Sequence, residues 1–489
     1  MRPRTMLGIL SLTLGREKNT DLHGRTTTDT EGRDGTAPSG SPRLLARPDR
    51  FVAVAGLVFG AILLFLTPPF QVPDEPAHFF RAYLVSEGGF QLLPVSHSQG
   101  AELPASLLAV VETAMGGIHG DPLPAGTVRK AWRIPLAPDR REPVFFPNTL
   151  QYTFLPYLPQ ALAMTPGRLL GAPPLALLYL ARLANLLFGV LAIAFAVGRL
   201  PAYRWLAALL ALLPMTLFLL ASASADVTSI AAGFVLAGTG ARLIWGPEGT
   251  ARRSDLVLFT LSTAVLCASK AVYLPLALLV ILIPAPRRRA AFLALHMAVC
   301  TLAAAWFLLR ARQVEGARIG AGVDMGRQIH DALAQPPRFL GLVLRDYAEH
   351  APRYGAQWMG NLGWLDTPLP IPLLAAFLAA LVALLLLDTG GEIRVSRWQR
   401  AVLAAAALGC LTLVSAAEYA IWTAYGADFI EGVQGRYFIP LVPSAAWMFH
   451  GRRWTGRVSY ERLGAALAAF SLVAFGIVVW VVARRYYGV

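Results

Sequence analysis

The chain is expected to be an all-α polytopic membrane protein, with about eleven spanning helices at the roughly 20 apolar residues that one crossing requires. Two observations predict this. Hydrophobic residues make up 56% of the 489 positions and charged residues only 15%, against roughly 25% charged in an ordinary soluble domain. Apolar runs long enough to cross a hydrocarbon core then recur from Phe51 to Trp480.

Residues 1–50 are rich in Thr, Gly, Asp, Arg and Pro and are expected to form a disordered tail, because they cannot bury enough apolar surface to offset ordering entropy. The short run Met6–Leu14 leads into Gly15-Arg16-Glu17-Lys18 without a small-residue cleavage site, so it does not read as a secretory signal. From 51 to 485 the chain reads as one transmembrane domain. Spans are expected near 51–68, 174–197, 203–222, 227–244, 254–270, 271–285, 289–310, 368–387, 399–420, 436–450 and 462–483. The spans around Lys270 and Pro440 are short enough to be tilted, broken or re-entrant. The stretch 151–170 carries Pro156, Pro159 and Pro166 and suits an interfacial helix better than a span.

Arginine sets the orientation. The short loops after alternate spans carry Arg199 and Arg204; Arg242, Arg252 and Arg253; Arg287, Arg288 and Arg289; Arg394, Arg397 and Arg400; and Arg452, Arg453, Arg457 and Arg462. The opposite short loop, 421–435, has no Lys or Arg. Under the positive-inside rule this puts the N-terminus in the cytoplasm of a bacterial cell, and the loops 68–173 and 311–367 on the outer face of its plasma membrane. Arg484 and Arg485 fit less well, since an odd number of spans leaves them outside. The net charge of +14 thus reads as a topology signal and not as a nucleic-acid surface. Cys267, Cys300 and Cys410 lie in apolar runs and suggest no disulfide framework.

The polar residues that stand out gather where spans meet outer loops. After the first span comes Val72-Pro73-Asp74-Glu75-Pro76-Ala77-His78-Phe79-Phe80-Arg81, with Pro76 suited to the first turn of a helix. Asp74, His78 and Arg81 then share one face. Helix capping accounts for one of the two acids and leaves the rest of the cluster without a reason. Further along, Gly363-Trp364-Leu365-Asp366-Thr367-Pro368-Leu369-Pro370 fixes the backbone where the second loop re-enters the membrane, and Trp364 and Asp366 are expected to shape a cavity there. Gly432-Val433-Gln434-Gly435-Arg436-Tyr437-Phe438-Ile439-Pro440 lies where the short acidic loop, with Asp428 and Glu431, meets the next span. Gly435 lets the backbone approach closely, Tyr437 can anchor at the interface, and Gln434, Arg436 and Tyr437 are candidates for binding substrate or phosphate. Lys270 is embedded between an apolar run and Tyr273. Arg182, Asp226 and Glu418 are charged groups within or at the ends of helices, where such groups pair or line cavities. Of these, Asp226 reads as an interfacial residue rather than a catalytic one.

These three runs resemble the signature segments of a bacterial membrane protein family called domain of unknown function 2142. That family in turn resembles the GT-C glycosyltransferases, helix bundles with a large first outer loop bearing an essential acid. The resemblance implies a GT-C-like bundle that moves a sugar from a polyprenyl-phosphate donor to a glycan, lipid or protein acceptor of the cell envelope. Asp74 or Glu75 would be its acid. A carboxylate suits the task of taking the acceptor hydroxyl's proton. A departing lipid phosphate needs cationic partners, for which Arg436, Lys270 and Arg81 are the candidates.

Two other readings stay open on the sequence alone. One is a flippase or transporter of lipid-linked sugars, although no internal repeat is evident. The other is a non-catalytic membrane protein of envelope assembly. No Walker or dinucleotide motif is present, and the histidines show no metal-ligand spacing. No cofactor is expected; a divalent cation could in principle be held at Asp74, Glu75 and His78, since hard metals favour carboxylate oxygens.

Overall fold

The computed structural model describes residues 46–90, 100–115, 121–247, 252–284, 289–313, 322–390, 393–454 and 456–489. The tail read as disordered lies almost wholly outside the described residues. Among those described, helices dominate and the strands form only two small antiparallel pairs, Gly100–Pro104 with Arg141–Phe145 and Asn361–Leu362 with Thr367–Pro368.

Among the described residues, six helices are long and apolar enough to cross a membrane: Pro48–Leu66, Pro174–Arg199, Asp226–Trp245, Arg289–Ala311, Arg397–Ile421 and Tyr460–Tyr487. Each falls on an expected span. Two further expected spans are continuous α-helices of 17 residues, Arg253–Ser269 and Ile371–Leu387.

The remaining three expected spans are not continuous α-helices, and proline explains each departure. The run 203–222 divides into Arg204–Ala211 and Pro214–Leu220. Pro214 has no N–H to donate and pushes Leu213 into extended backbone, with ψ 138°. Every residue from Trp205 to Leu220 is buried, so the interrupted backbone lies within protein and not against lipid. The run 271–285 winds as a tighter 3-10 helix, Ala271–Leu282, with Pro275 inside it. At about 2.0 Å per residue, this winding reaches farther than an α-helix of equal length. The run 436–450, with Pro440 and Pro443, breaks into the short turns Gly435–Phe438, Val442–Ala445 and Ala446–Phe449.

The first large loop folds upon itself. Its helix Glu75–Ser86 supplies Phe79, Phe80 and Tyr83 to an apolar cluster completed by Leu103, Val144, Phe146 and Tyr157. The stretch read as interfacial contains the helix Leu158–Leu169, which leaves Leu162 and Leu169 largely exposed. In the second large loop, the helix Pro336–Gly360 leads into the hairpin that carries Trp364 and Asp366.

The ends of the first and last helices account for the position of Arg485. Asp49, in the first turn of the first helix, pairs with Arg204. At that helix's other end, Leu66 accepts a hydrogen bond from the Tyr487 hydroxyl, 3.0 Å away. Next to it Arg485 pairs with Asp366 of the second loop at 2.8 Å and donates to the Asp121 carbonyl of the first. Arg485 therefore sits with both large loops, where an acid and a carbonyl engage it, while Arg484 lies over the Trp480 ring of its own helix.

Candidate functional site

The two adjacent acids after the first helix have different surroundings. Phe70 and Asp74 both adopt left-handed backbone, with φ 63° and 62°. Glu75 points into the bundle and is fully buried. Its Oε1 and Oε2 accept from Arg182 Nε at 2.8 Å and Nη2 at 2.5 Å, and also from the backbone N–H groups of Ala223 and Phe70. Arg182 spends its remaining hydrogens on the carbonyls of Leu64, Thr67 and Pro68. The pair thereby ties the end of the first helix to the helix Pro174–Arg199, and Glu75 does not reach the cavity described next.

Asp74 occupies the N-cap position but makes no side-chain cap bond. Its carboxylate instead faces a cavity of about 250 Å³. Arg436 Nη2 approaches Asp74 Oδ2 to 2.6 Å, and the Asn148 amide donates to Oδ1 at 3.0 Å. Burial alone would push the Asp74 carboxyl up, yet the Arg436 guanidinium and His78 outweigh it and hold the group below the ordinary carboxylate range. His78, one turn along, also lines the cavity and shares a 2.9 Å hydrogen bond with the Tyr157 hydroxyl. Burial pulls its imidazole down to about 4, against the opposing pull of Asp74, so the ring is neutral at neutral pH. Arg81, expected on the same face, sits behind the cavity lining, 3.3 Å from the Gly89 carbonyl and 3.4 Å from that of Tyr152.

The second half of the site comes from breaks in the bundle. Lys270 stands where the helix Arg253–Ser269 ends and the 3-10 helix begins. Its ammonium lies 2.8 Å from Asp226 Oδ1 and 4.3 Å from the centre of the Tyr437 ring. Arg436 lies at the start of the broken run, where the Gly435 N–H donates to Gln357 Oε1. Gly435 is packed so closely that a Cβ there would sit 2.1 Å from the Tyr354 carbonyl oxygen. That contact lets the turn seat Arg436 deep in the protein, 5% exposed, with Nη1 3.7 Å from Asp226. Two acids and two cations are thus interleaved: Lys270, Asp226, Arg436, Asp74.

Trp364, Gln434 and Tyr437 line the cavity as well. Trp364 is held by its indole N–H on the Phe70 carbonyl and by its backbone N–H on Asp366 Oδ1. Asp366 itself is not in the lining; it braces Trp364 and joins the hairpin to Arg485. Asp226 and Glu418, which the sequence marked only as charged groups in or at the ends of helices, line the cavity too, as do Asn148, Tyr152 and Trp422, which gave no signal at all. Among the described residues, no trio of His, Cys, Asp or Glu is placed to hold a cation.

Residues 57–445 match the model of a family described as predicted membrane protein, domain of unknown function 2142. The chain belongs to this family. All three runs that carry the resemblance fall within the matched range, and in this DUF2142 protein each brings a side chain to the cavity: Asp74, Trp364 and Arg436. No curated protein and no solved structure matches the chain.

Proposed function

We propose that this DUF2142 protein is a membrane glycosyltransferase of GT-C type. It would move a sugar from a polyprenyl-phosphate donor to a hydroxyl of a cell-envelope glycan, lipid or protein, on the outer face of the bacterial plasma membrane. The observation that carries the reading is the contact of Arg436 with Asp74, beside the pair of Lys270 with Asp226, in a cavity walled by the large loops and the broken helices. Arg436 keeps Nε and Nη1 without a hydrogen-bond partner, which suits a phosphate oxygen arriving from the membrane. A guanidinium can engage such a group bidentately, and the Lys270 ammonium adds a point charge.

In the reaction, the acceptor oxygen attacks the anomeric carbon and its proton passes to the Asp74 carboxylate. The bond from that carbon to the phosphate oxygen breaks, and its electron pair leaves on the lipid phosphate, where Arg436 and Lys270 stabilise the charge. A donor phosphate that draws on Arg436 also loosens its hold on Asp74. The carboxylate then gains proton affinity at the step that needs a base. Glu75 supports the site from outside the chemistry, by fixing the turn that presents Asp74.

The test is transfer from a purified polyprenyl-phosphate sugar, such as undecaprenyl-phosphate glucose or mannose, in proteoliposomes. Wild type and Asp74→Asn are compared with thermal stability measured in parallel. Turnover that needs Asp74 supports the reading, and equal turnover in a folded Asp74→Asn protein overturns the assigned base.

A further inference from the structure

The polar atoms around the cavity leave two kinds of unmet valence. Arg436 Nε and Nη1 are buried donors without an acceptor, whereas Glu418 Oε2 and Gln434 Oε1 are buried acceptors without a donor. Each such atom costs about 1 to 3 kcal/mol if nothing meets it. A ligand matched to this cavity must therefore bring acceptors to one wall and hydrogen-bond donors to another.

Glu418 is distinct among the three carboxylates that line the cavity. Asp74 is held by Arg436 and Asn148, and Asp226 by Lys270. Among the described residues no cation stands within ion-pair distance of Glu418. Trp422 follows one turn later, its backbone N–H donating to the Glu418 carbonyl at 2.9 Å, and its indole joins the lining while remaining 40% exposed. Gly432 keeps this wall accessible. Its φ is +90°, and a Cβ there would lie 2.4 Å from Glu418 Oε2 and 3.1 Å from the Trp422 ring. Any larger residue would cover the carboxylate.

A carboxylate oxygen and an amide oxygen beside a flat indole fit one ligand chemistry well. A sugar ring carries hydroxyl donors around its rim and a C–H face that packs on an aromatic plane. We propose that Glu418, Trp422 and Gln434 form a sugar-ring subsite, in which Glu418 and Gln434 accept ring hydroxyls while the ring stacks on Trp422. The subsite rests on the lipid-phosphate reading only for the other end of the ligand, where Arg436 would hold the phosphate.

The experiment separates the two ends, using the full chain in lipid nanodiscs. A panel of methyl glycosides (glucoside, mannoside, galactoside, rhamnoside and N-acetylglucosaminide) probes the hydroxyl end by saturation-transfer NMR and tryptophan fluorescence. Undecaprenyl phosphate without a sugar probes the phosphate end. At least one glycoside is expected to bind wild type, and Glu418→Leu and Trp422→Ala are each expected to weaken it tenfold or more. The same variants should keep undecaprenyl phosphate affinity within about twofold and retain the wild-type melting temperature within a few degrees, and Gln434→Leu, a milder change, serves if either fails to fold. If undecaprenyl phosphate binds but no glycoside does, or if glycosides bind the variants as well as wild type, the subsite is overturned and the phosphate reading stands. Glycoside binding that depends on Glu418, without any binding of undecaprenyl phosphate, would uphold the subsite and overturn the phosphate reading.

Discussion

Asp74 and Arg436, 362 positions apart, meet at 2.6 Å in the wall of the cavity. Arg436 is buried and Asp74 half-buried, each against groups that favour its charge, and each comes from backbone outside the regular α-helices: Asp74 from a left-handed turn and Arg436 from the short 3-10 turn that opens a broken span. The pair is where the proposed base and the proposed phosphate ligand touch.

Replacement of Arg436 should therefore act on the transition state rather than on the fold. Arg436→Ala is expected to lose about 2 to 4 kcal/mol of transition-state stabilisation, as for a removed charge-stabilising donor. Arg436→Lys should fall between Arg436→Ala and wild type, because an ammonium cannot reproduce the fork. For Asp74→Asn the expected loss is on the order of 10² to 10⁴-fold in turnover. Single-turnover transfer in proteoliposomes measures all three, and wild-type rates in Arg436→Ala would remove the phosphate role.

Glu75 and Arg182 should behave in the opposite way. Both are fully buried, so Glu75→Ala strands a charge and should cost about 3 to 5 kcal/mol of stability. The double change Glu75→Leu with Arg182→Met should recover much of that loss, since neither charge is then left alone. Thermal melts in detergent read both. A Glu75→Ala protein as stable as wild type would contradict the structural role of the pair.

The pH dependence of stability follows from His78. Its folded value of about 4 lies below the ordinary 6.5, so between those values the unfolded chain binds the proton that the native state refuses. Stability should fall as pH drops from 6.5 toward 4. His78→Gln should abolish that part of the acid sensitivity. Asp74 contributes stability above the ordinary carboxylate range, and that part is lost only at still lower pH. Melting temperatures at pH 7.5, 6.0 and 5.0 compare the two proteins; parallel decline in both would exclude His78 as the source.

Orientation can be tested at positions exposed in the large loops. In a background with Cys267, Cys300 and Cys410 replaced by alanine, Asp139→Cys and Gln335→Cys should react with an impermeant maleimide in intact spheroplasts. Arg457→Cys, in a short arginine-rich loop, should react only after lysis. The reverse pattern would place the cavity on the cytoplasmic side.

Composition and apolar run length alone determined that this is a helical membrane protein, because lipid leaves a chain few other ways to satisfy its backbone. The local runs around Asp74, Trp364 and Arg436 were legible too, since proline and glycine beside charge at a membrane edge have few other uses. The sequence could not separate Asp74 from Glu75, nor place Asp226, Glu418 and Trp422 around one cavity. Neighbours in a turn point in different directions, and their surroundings are set by partners far along the chain: Arg182 lies 107 positions from Glu75 and Arg436 lies 362 from Asp74. The interrupted spans show the same division. Pro214, Pro275 and Pro440 announce that a helix cannot continue, but only packing decides whether the freed backbone is buried, as along 205–220, or turned to seat Arg436 beside Asp74.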